Sequence, residues 1–162
     1  MDEELITPHF PWSGTLCHDG TPIPDELRPN AVRLAGQLEI IRAAWALVVA
    51  PSSPAIIPVC WYRTPAHNAA LREAKLAQGL VPGTAVNSQH MTGGAIDARP
   101  VRLADLTRFE NCIRELLTQG QLPLIGGWGF YPQQWIHLDV RPRTASGHVA
   151  FWEGNGVASE MA

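Results

Sequence analysis

Two histidines and one aspartate are the residues of this 162-residue chain whose types and spacing best suit metal chemistry. His90 and Asp97 lie in the stretch Asn-Ser-Gln-His-Met-Thr-Gly-Gly-Ala-Ile-Asp, and His137 lies in the later stretch Trp-Ile-His-Leu-Asp. Two imidazoles and one carboxylate suit a catalytic zinc ion, which takes three protein ligands and keeps a fourth position for water. The sequence therefore predicts a Zn²⁺ site formed by His90, Asp97 and His137.

Short strands are expected to position two of these ligands. Residues 95–98 read as a strand, with Asp97 on the opposite face from its apolar neighbour. In the later stretch Trp135, His137 and Asp139 share one face, and the apolar residues that alternate with them share the other. The apolar face can pack into a core while His137 points into a cleft. Glycines at 93 and 94 allow a tight turn before Asp97.

Taken together, these motifs resemble the zinc D-Ala-D-Ala carboxypeptidases and their relatives among phage and bacterial cell-wall peptidases. The family pattern Ser-x-His-x-x-Gly-x-Ala-x-Asp is followed by a His near the C-terminal end. The chain fits every fixed position of that pattern, with Ser88, His90, Gly93, Ala95 and Asp97. The resemblance extends to Tyr62-Arg63-Thr64-Pro65 with Asn68 and to the glycine-rich run at 126–131, and it covers roughly residues 9 to 142.

The resemblance implies a fold and an activity. The fold is α+β, a single domain like that of hedgehog and DD-peptidase proteins, with a small, mostly antiparallel sheet, helices packed on one side and zinc in the cleft. We expect an irregular lead-in at 1–27, a zinc peptidase-like domain at 28–145 and a C-terminal tail at 146–162. The implied activity is hydrolysis of peptide bonds in peptidoglycan stem peptides. A D-Ala-D-Ala carboxypeptidase and an endolysin-type endopeptidase both fit.

The resemblance also suggests roles around the metal. Arg63 is expected to point into the active site, where a fixed guanidinium stabilises a developing oxyanion or binds a carboxylate. Ser88, Tyr131 and Trp135 are the residues predicted to contact substrate.

The sequence departs from the family at the general base. Relatives usually carry Glu, Asp or His three residues before the final His ligand, whereas this chain has Gln134, and an amide cannot take a proton at neutral pH. The base is then shifted within the loop, replaced by Asp139, or absent. We favour Asp139 as a catalytic group or as one that orients His137 or Arg63 by hydrogen bonding.

Periodicity predicts the elements that carry these motifs. Helices are expected at about 29–49, 65–78 and 103–118, the first and third with clear apolar stripes. A buried strand is expected at 55–61, a short strand at 122–125 and a loop at 126–132 that leads into the His137 strand. Residues 1–27 show no clear periodicity.

Composition limits the function classes. A net charge of −3 provides no general basic patch, so nucleic acid is not an expected partner. Three separated cysteines without a Cys-x-x-Cys pair predict buried reduced thiols rather than a cysteine zinc site. The sequence predicts neither a signal peptide nor a membrane span. We expect a monomer made in the cytoplasm that acts at the cell wall if delivered there, during phage lysis or from a virion.

Two other interpretations compete with a peptidase. His137-Leu138-Asp139 fits the first half of the 2-His-1-carboxylate site of a non-haem iron oxygenase, although only His148 follows and it lies too close. A non-catalytic zinc-binding module of a phage particle or a wall-binding protein is the other alternative, and Gln134 is the feature that supports it.

Overall fold

The structure, a computed structural model, describes residues 3–154. The described residues contain three α-helices, which are α1 (Arg28–Val49), α2 (Pro65–Ala77) and α3 (Leu106–Thr118). They also contain seven strands, which are β1 (Leu5–Thr7), β2 (Phe10–Pro11), β3 (Ile56–Cys60), β4 (Ala95–Pro100), β5 (Gly127–Tyr131), β6 (Trp135–Asp139) and β7 (Ala150–Glu153). Across residues 3–154, none of the helices has the length and apolar character needed to cross a membrane.

A five-stranded sheet forms the centre of the molecule, in the order β3-β4-β6-β5-β7. The pairs β3–β4, β4–β6 and β6–β5 are antiparallel, whereas β7 runs parallel to β5 at the edge. Strands β1 and β2 form a separate antiparallel pair that packs near α1. The predicted α+β class with a small, mostly antiparallel sheet is confirmed.

One face of the sheet carries the hydrophobic core. Ile96 of β4 and Leu138 of β6 are almost fully buried there, together with apolar side chains of α1 and α3. The two helices meet through Trp45 and Phe109, whose rings lie 5.3 Å apart in an edge-on arrangement. Because side chains alternate along a strand, the opposite face of the sheet is left for polar groups.

Helix α2 lies apart from this core, because only Asn68 among its residues is buried. Thr64 caps its N-terminus by accepting a hydrogen bond from the backbone N–H of His67 at 3.1 Å, and Pro65 follows in the first turn. The start of α2 is therefore fixed directly after Arg63, which the sequence assigns to the active site.

Three predicted elements differ from the structure. Residues 126–132 are expected as a loop, but residues 127–131 of this segment form β5. Gly127 and Gly129 adopt the extended backbone of a strand and pair with both β6 and β7. Residues 122–125 form a turn rather than a strand. The segment at 146–162, expected as a tail, contributes β7 to the sheet through residues 150–153, so the boundary predicted at 145 leaves out one strand; residues 155–162 lie outside the described residues.

Candidate metal centre and cleft

The polar face of the sheet aligns one residue from each strand in a single row. Backbone pairing places Cys60 opposite Asp97, Asp97 opposite His137, His137 opposite Gly129, and Gly129 opposite Trp152. Residues directly opposite each other on neighbouring strands lie on the same face. The register therefore brings two of the predicted ligands side by side, with a thiol on one flank and an indole on the other.

His90 reaches this row from a short 3₁₀ turn, Gln89–Thr92, that precedes β4. Ser88 caps the turn by accepting a hydrogen bond from the backbone N–H of His90 at 3.3 Å. Gly93 ends it with a φ of 71°, and a Cβ there would lie 2.3 Å from Cδ1 of Ile23. The glycine is required both by the left-handed backbone and by the packed isoleucine.

The three predicted ligands meet at the carboxylate of Asp97. Nε2 of His90 lies 3.3 Å from Oδ2, and Nδ1 of His137 lies 2.9 Å from Oδ1. All three side chains are buried. Burial opposes charge on each of them, but Asp97 and Cys60 raise the pKa of His90 to about 10, and the two imidazoles hold the pKa of Asp97 well below its ordinary value.

The second nitrogen of each imidazole is held by an acceptor. Nδ1 of His90 lies 2.7 Å from the carbonyl oxygen of Trp61, and Nε2 of His137 lies 2.9 Å from Oδ2 of Asp139. A carbonyl or an ionised carboxylate can only accept, so each of these outer nitrogens donates. The inner nitrogens both face Asp97, and each would have to be deprotonated to bind a metal through its lone pair. Two imidazoles held in this orientation and one carboxylate fit the donor set of zinc.

Asp139 is fully buried behind His137. Its carboxylate accepts hydrogen bonds from Nε of Arg141 at 2.8 Å and from Nη2 at 2.6 Å, as well as from the Arg141 backbone N–H. Burial would raise the pKa of Asp139, but His137 and Arg141 lower it to about 2. A Cβ at Gly127 would lie 2.4 Å from Oδ2 of Asp139, so the absence of a side chain on β5 makes room for this network.

Arg63 lies on the other side of the row. Its Nη1 donates to Oδ1 of Asn68 at 3.3 Å, and its Nη2 donates to Sγ of Cys60 at 3.5 Å, while its buried Nε has no hydrogen-bond partner among the described residues. The amide of Asn68 donates in turn to the carbonyl oxygen of Ala85 at 2.9 Å. Asn68 thus links Arg63 to the loop that follows α2.

A cavity of about 1000 Å³, here called the cleft, opens over these groups. His90, Asp97, His137 and Arg63 line it, as do all three residues predicted to contact substrate, which are Ser88, Tyr131 and Trp135. Gln134 also lines the cleft, whereas Asp139 does not. The structure thus brings every predicted site residue to one place except Asp139, which lies behind a ligand and faces away from the cavity.

A family model described as peptidoglycan L,D-endopeptidase MepK matches residues 41–145, more than half of the chain. The chain belongs to this family of zinc peptidases. The matched segment contains His90, Asp97, His137 and Arg63, and the resemblance expected from the sequence is confirmed. No curated protein and no solved structure matches the chain in the other two comparisons. The protein is a peptidoglycan peptidase, and the side chains that suit its chemistry line the cleft.

Sequence reasoning missed two residues of this peptidase cleft. Trp152 lies in the segment expected as a tail, yet its Nε1 donates to the hydroxyl of Tyr131 at 2.8 Å, and its ring lies 5.2 Å from that of His137. A Cβ at Gly129 would lie 2.4 Å from Nε1 of Trp152. Phe151 and Trp152 are adjacent in a strand of four residues, so the sequence there has no alternation that would indicate a strand.

Cys60 is the second residue that was missed. Its Sγ lies 3.8 Å from Nδ1 of His90, and Cys60, His90 and Asp97 offer ligand atoms within 4.8 Å of one another. The pKa of the thiol is lowered by His90 and Arg63 against the effect of burial. The three cysteines are buried free thiols, as the sequence predicts. That Cys60 lies beside Asp97 could not be predicted, because it depends on the register between β3 and β4.

Cys17, Asp19 and His67 form another group of donor atoms within 4.8 Å of one another. These side chains already have partners. The hydroxyl of Thr64 donates to Asp19 at 3.1 Å, and its backbone N–H donates to Sγ of Cys17 at 3.5 Å. The group ties the lead-in to the start of α2, next to Arg63 of the peptidase cleft.

Proposed function

We propose that the protein is a zinc-dependent endopeptidase of peptidoglycan, with the metal held by Nε2 of His90, the carboxylate of Asp97 and Nδ1 of His137. The observation that carries the proposal is the orientation of the two imidazole rings. Trp61 and Asp139 hold the outer nitrogens of the two imidazoles, so that both inner nitrogens converge on one carboxylate. When bound, zinc supplies a Lewis acid and lowers the pKa of a coordinated water to about 7.

The chain's own residues would then orient the substrate. Arg63 lies beside the ligands, and its guanidinium keeps donor capacity beyond its bonds to Asn68 and Cys60. A fixed cation at this place stabilises negative charge that develops on a peptide carbonyl oxygen. Asp139 would orient His137 rather than transfer a proton to substrate, because it is fully buried and outside the cleft.

Two features support an endopeptidase over a carboxypeptidase. The cleft, at about 1000 Å³, lies at the upper end of the range for ligand sites, as a site that takes peptide on both sides of a scissile bond would require. The matching family model is described as an L,D-endopeptidase, which supports the same choice. We further propose that the protein acts in the cell wall, where this substrate lies, and that the peptidase domain includes β7.

The test is a digest of purified peptidoglycan by the zinc-loaded protein, with the fragments identified by mass spectrometry. An endopeptidase opens cross-links or cuts within stem peptides, and the same digest with His137→Ala gives no cleavage. Release of terminal D-Ala alone would replace the proposal with a carboxypeptidase.

Gln134 favours a second candidate, a non-catalytic zinc-binding module. Within residues 3–154 the cleft is lined by no carboxylate other than Asp97, and Gln134 stands where relatives usually carry a base. Gln134→Glu distinguishes the two candidates, because a positioned general base contributes about 10² to 10⁴ in rate. Cleavage only in the Glu variant would support the non-catalytic module, whereas cleavage by the unchanged protein would exclude it.

A further inference from the structure

The charge of the cleft is opposite to that of the whole chain. The chain carries a net charge of −3, yet four cationic side chains line the cleft, which are Arg63, Arg72, Lys75 and Arg141. Arg141 is paired with the buried Asp139, so the other three supply the excess of positive charge. Among the described residues, the only carboxylate in the lining is Asp97, which lies between two imidazoles. Low-dielectric walls concentrate such a local field, so the cleft attracts anionic groups although the protein as a whole does not.

Two of the cations belong to one face of α2. Leu71, Arg72 and Lys75 line the cleft. Together with the buried Asn68 they follow the spacing of three and four residues that places side chains on the same side of a helix. Asn68, at the inner end of this face, accepts a hydrogen bond from Arg63. The face therefore runs from the side of the metal ligands outward, with Arg72 and Lys75 at increasing distance along the helix.

The two outer cations keep donors for a ligand. Nη1 of Arg72 donates to the carbonyl oxygen of Thr84, which fixes the guanidinium against the loop that forms the neighbouring wall. A guanidinium has five N–H donors, so most remain available. Lys75 is exposed and makes no ion pair within residues 3–154. The guanidinium of Arg72, held in place, and the exposed ammonium of Lys75 together suit a carboxylate, which can accept hydrogen bonds from both.

We propose that Arg72 and Lys75 form a carboxylate subsite that binds a free carboxylate of the substrate at a residue flanking the scissile bond. This inference rests on the proposed function and adds a substrate feature to it. Stem peptides of peptidoglycan contain residues whose carboxylates remain free or are converted to carboxamides. The subsite would make the protein prefer the free acid, because a carboxamide brings N–H groups against two cations and loses the charge.

The experiment uses synthetic stem peptides that differ only in one carboxylate or carboxamide beside the scissile bond, with the zinc-loaded protein. We expect kcat/KM to be higher for the free acid by about tenfold or more, which corresponds to one charge-assisted hydrogen bond. In Lys75→Gln and in Arg72→Gln the preference should fall toward one, chiefly through KM. Arg72→Lys should retain part of it, and Arg33→Gln, an exposed change on α1 outside the cleft, should leave it intact.

A binding measurement separates failure of this inference from failure of the proposed function. Calorimetry of the same two peptides with the zinc-loaded protein should show tighter binding of the free acid and loss of that difference in Lys75→Gln. Equal binding and equal cleavage of the two peptides would overturn the subsite while leaving the peptidase in place. Preferential binding of the acid without any cleavage would support the subsite and overturn the proposed activity.

Discussion

At the scale of single residues, the proposed centre depends on how each imidazole ring is held. The ring of His90 is held by a backbone carbonyl, whereas that of His137 is held by a buried carboxylate that is itself bonded to Arg141. A carboxylate bound to the outer nitrogen of a metal ligand orients the ring and raises its basicity. In the proposed centre, Asp139 would therefore act on the metal through His137.

Asp139→Asn tests this role, because the amide keeps the shape of the side chain and loses its charge. We expect the affinity for zinc to fall by about 10- to 100-fold, measured by competition with a chromophoric chelator. Asp105→Asn is the matched control, since Asp105 is also buried and paired with arginines but forms no hydrogen bond or ion pair with the described side chains of His90, Asp97 or His137. Equal affinities of the Asp139 variant and the unchanged protein would show that the carboxylate does not support the ligand.

At the scale of elements, β5 leaves room for the candidate site because two of its residues have no side chain. Gly127 leaves space for the carboxylate of Asp139, and Gly129 leaves space for the indole of Trp152. Glycine in the middle of a strand weakens it, so these positions are explained by close approach rather than by the needs of the strand.

Gly127→Ala should therefore destabilise the protein, because its Cβ would lie within 2.5 Å of both carboxylate oxygens of a buried, fully bonded Asp139. We expect a loss of about 1–3 kcal/mol in the free energy of unfolding, typical of overpacking, measured by urea denaturation. Gly36→Ala in α1 is the control. Nothing lies within 4 Å of a Cβ there, and we expect a gain of about 0.5–1 kcal/mol. An unchanged stability of the Gly127 variant would contradict this account of β5.

The carboxylate of Glu39 is one of the groups that attach the lead-in to α1. Glu39 accepts from the backbone N–H of His9 at 2.9 Å and contacts Nδ1 of the same residue at 2.8 Å. Burial would raise the pKa of Glu39, but its bonds to His9 lower the pKa below its ordinary 4.5. A carboxyl group with a lowered pKa stabilises the fold above its unfolded pKa and loses that contribution as the pH falls through the folded value.

Glu39→Gln should accordingly be less stable than the unchanged protein at pH 6, by about 1 kcal/mol or less because the pair is partly exposed. The difference should shrink as the pH falls below 4.5 and through the lower pKa of the folded state, because the carboxyl group then becomes protonated in the folded state as well. Urea unfolding at a series of pH values measures it, with Glu73→Gln, an exposed change on α2, as the control. A difference that is constant from pH 6 to pH 3 would exclude an ionised Glu39 as its cause.

Features encoded by neighbouring residues could be predicted from the sequence, whereas those that depend on residues far apart in the chain could not. Local periodicity predicted α1, α2 and β6 to within about a residue at most ends, since caps and apolar spacing are encoded nearby. The row from Cys60 to Trp152 could not be predicted, because register depends on pairing between strands distant in sequence. The glycines of β5 were interpreted as a loop, because the side chains that require glycine there, Asp139 and Trp152, lie on other strands.

At the scale of the whole molecule, the two faces of the sheet have different roles. One face packs against α1 and α3 and supplies the stability, while the other carries the proposed metal ligands Asp97 and His137 and faces the cationic wall of α2. A rigid sheet would hold the two ligands from its strands at a fixed separation, and His90 is the proposed ligand that comes from a turn. Zinc would then join the turn to the sheet and stabilise the folded state through its binding free energy.

The most direct test of the central claim is a titration of the metal-free protein with zinc, in which the rate of peptidoglycan cleavage is followed at each addition. We predict that the rate rises in proportion to added zinc, stops rising at one equivalent, and is absent throughout for Asp97→Asn. Asp105→Asn should behave as the unchanged protein does. Cleavage that is unaffected by removal of the metal, or that survives in the Asp97 variant, would contradict a zinc peptidase built on His90, Asp97 and His137.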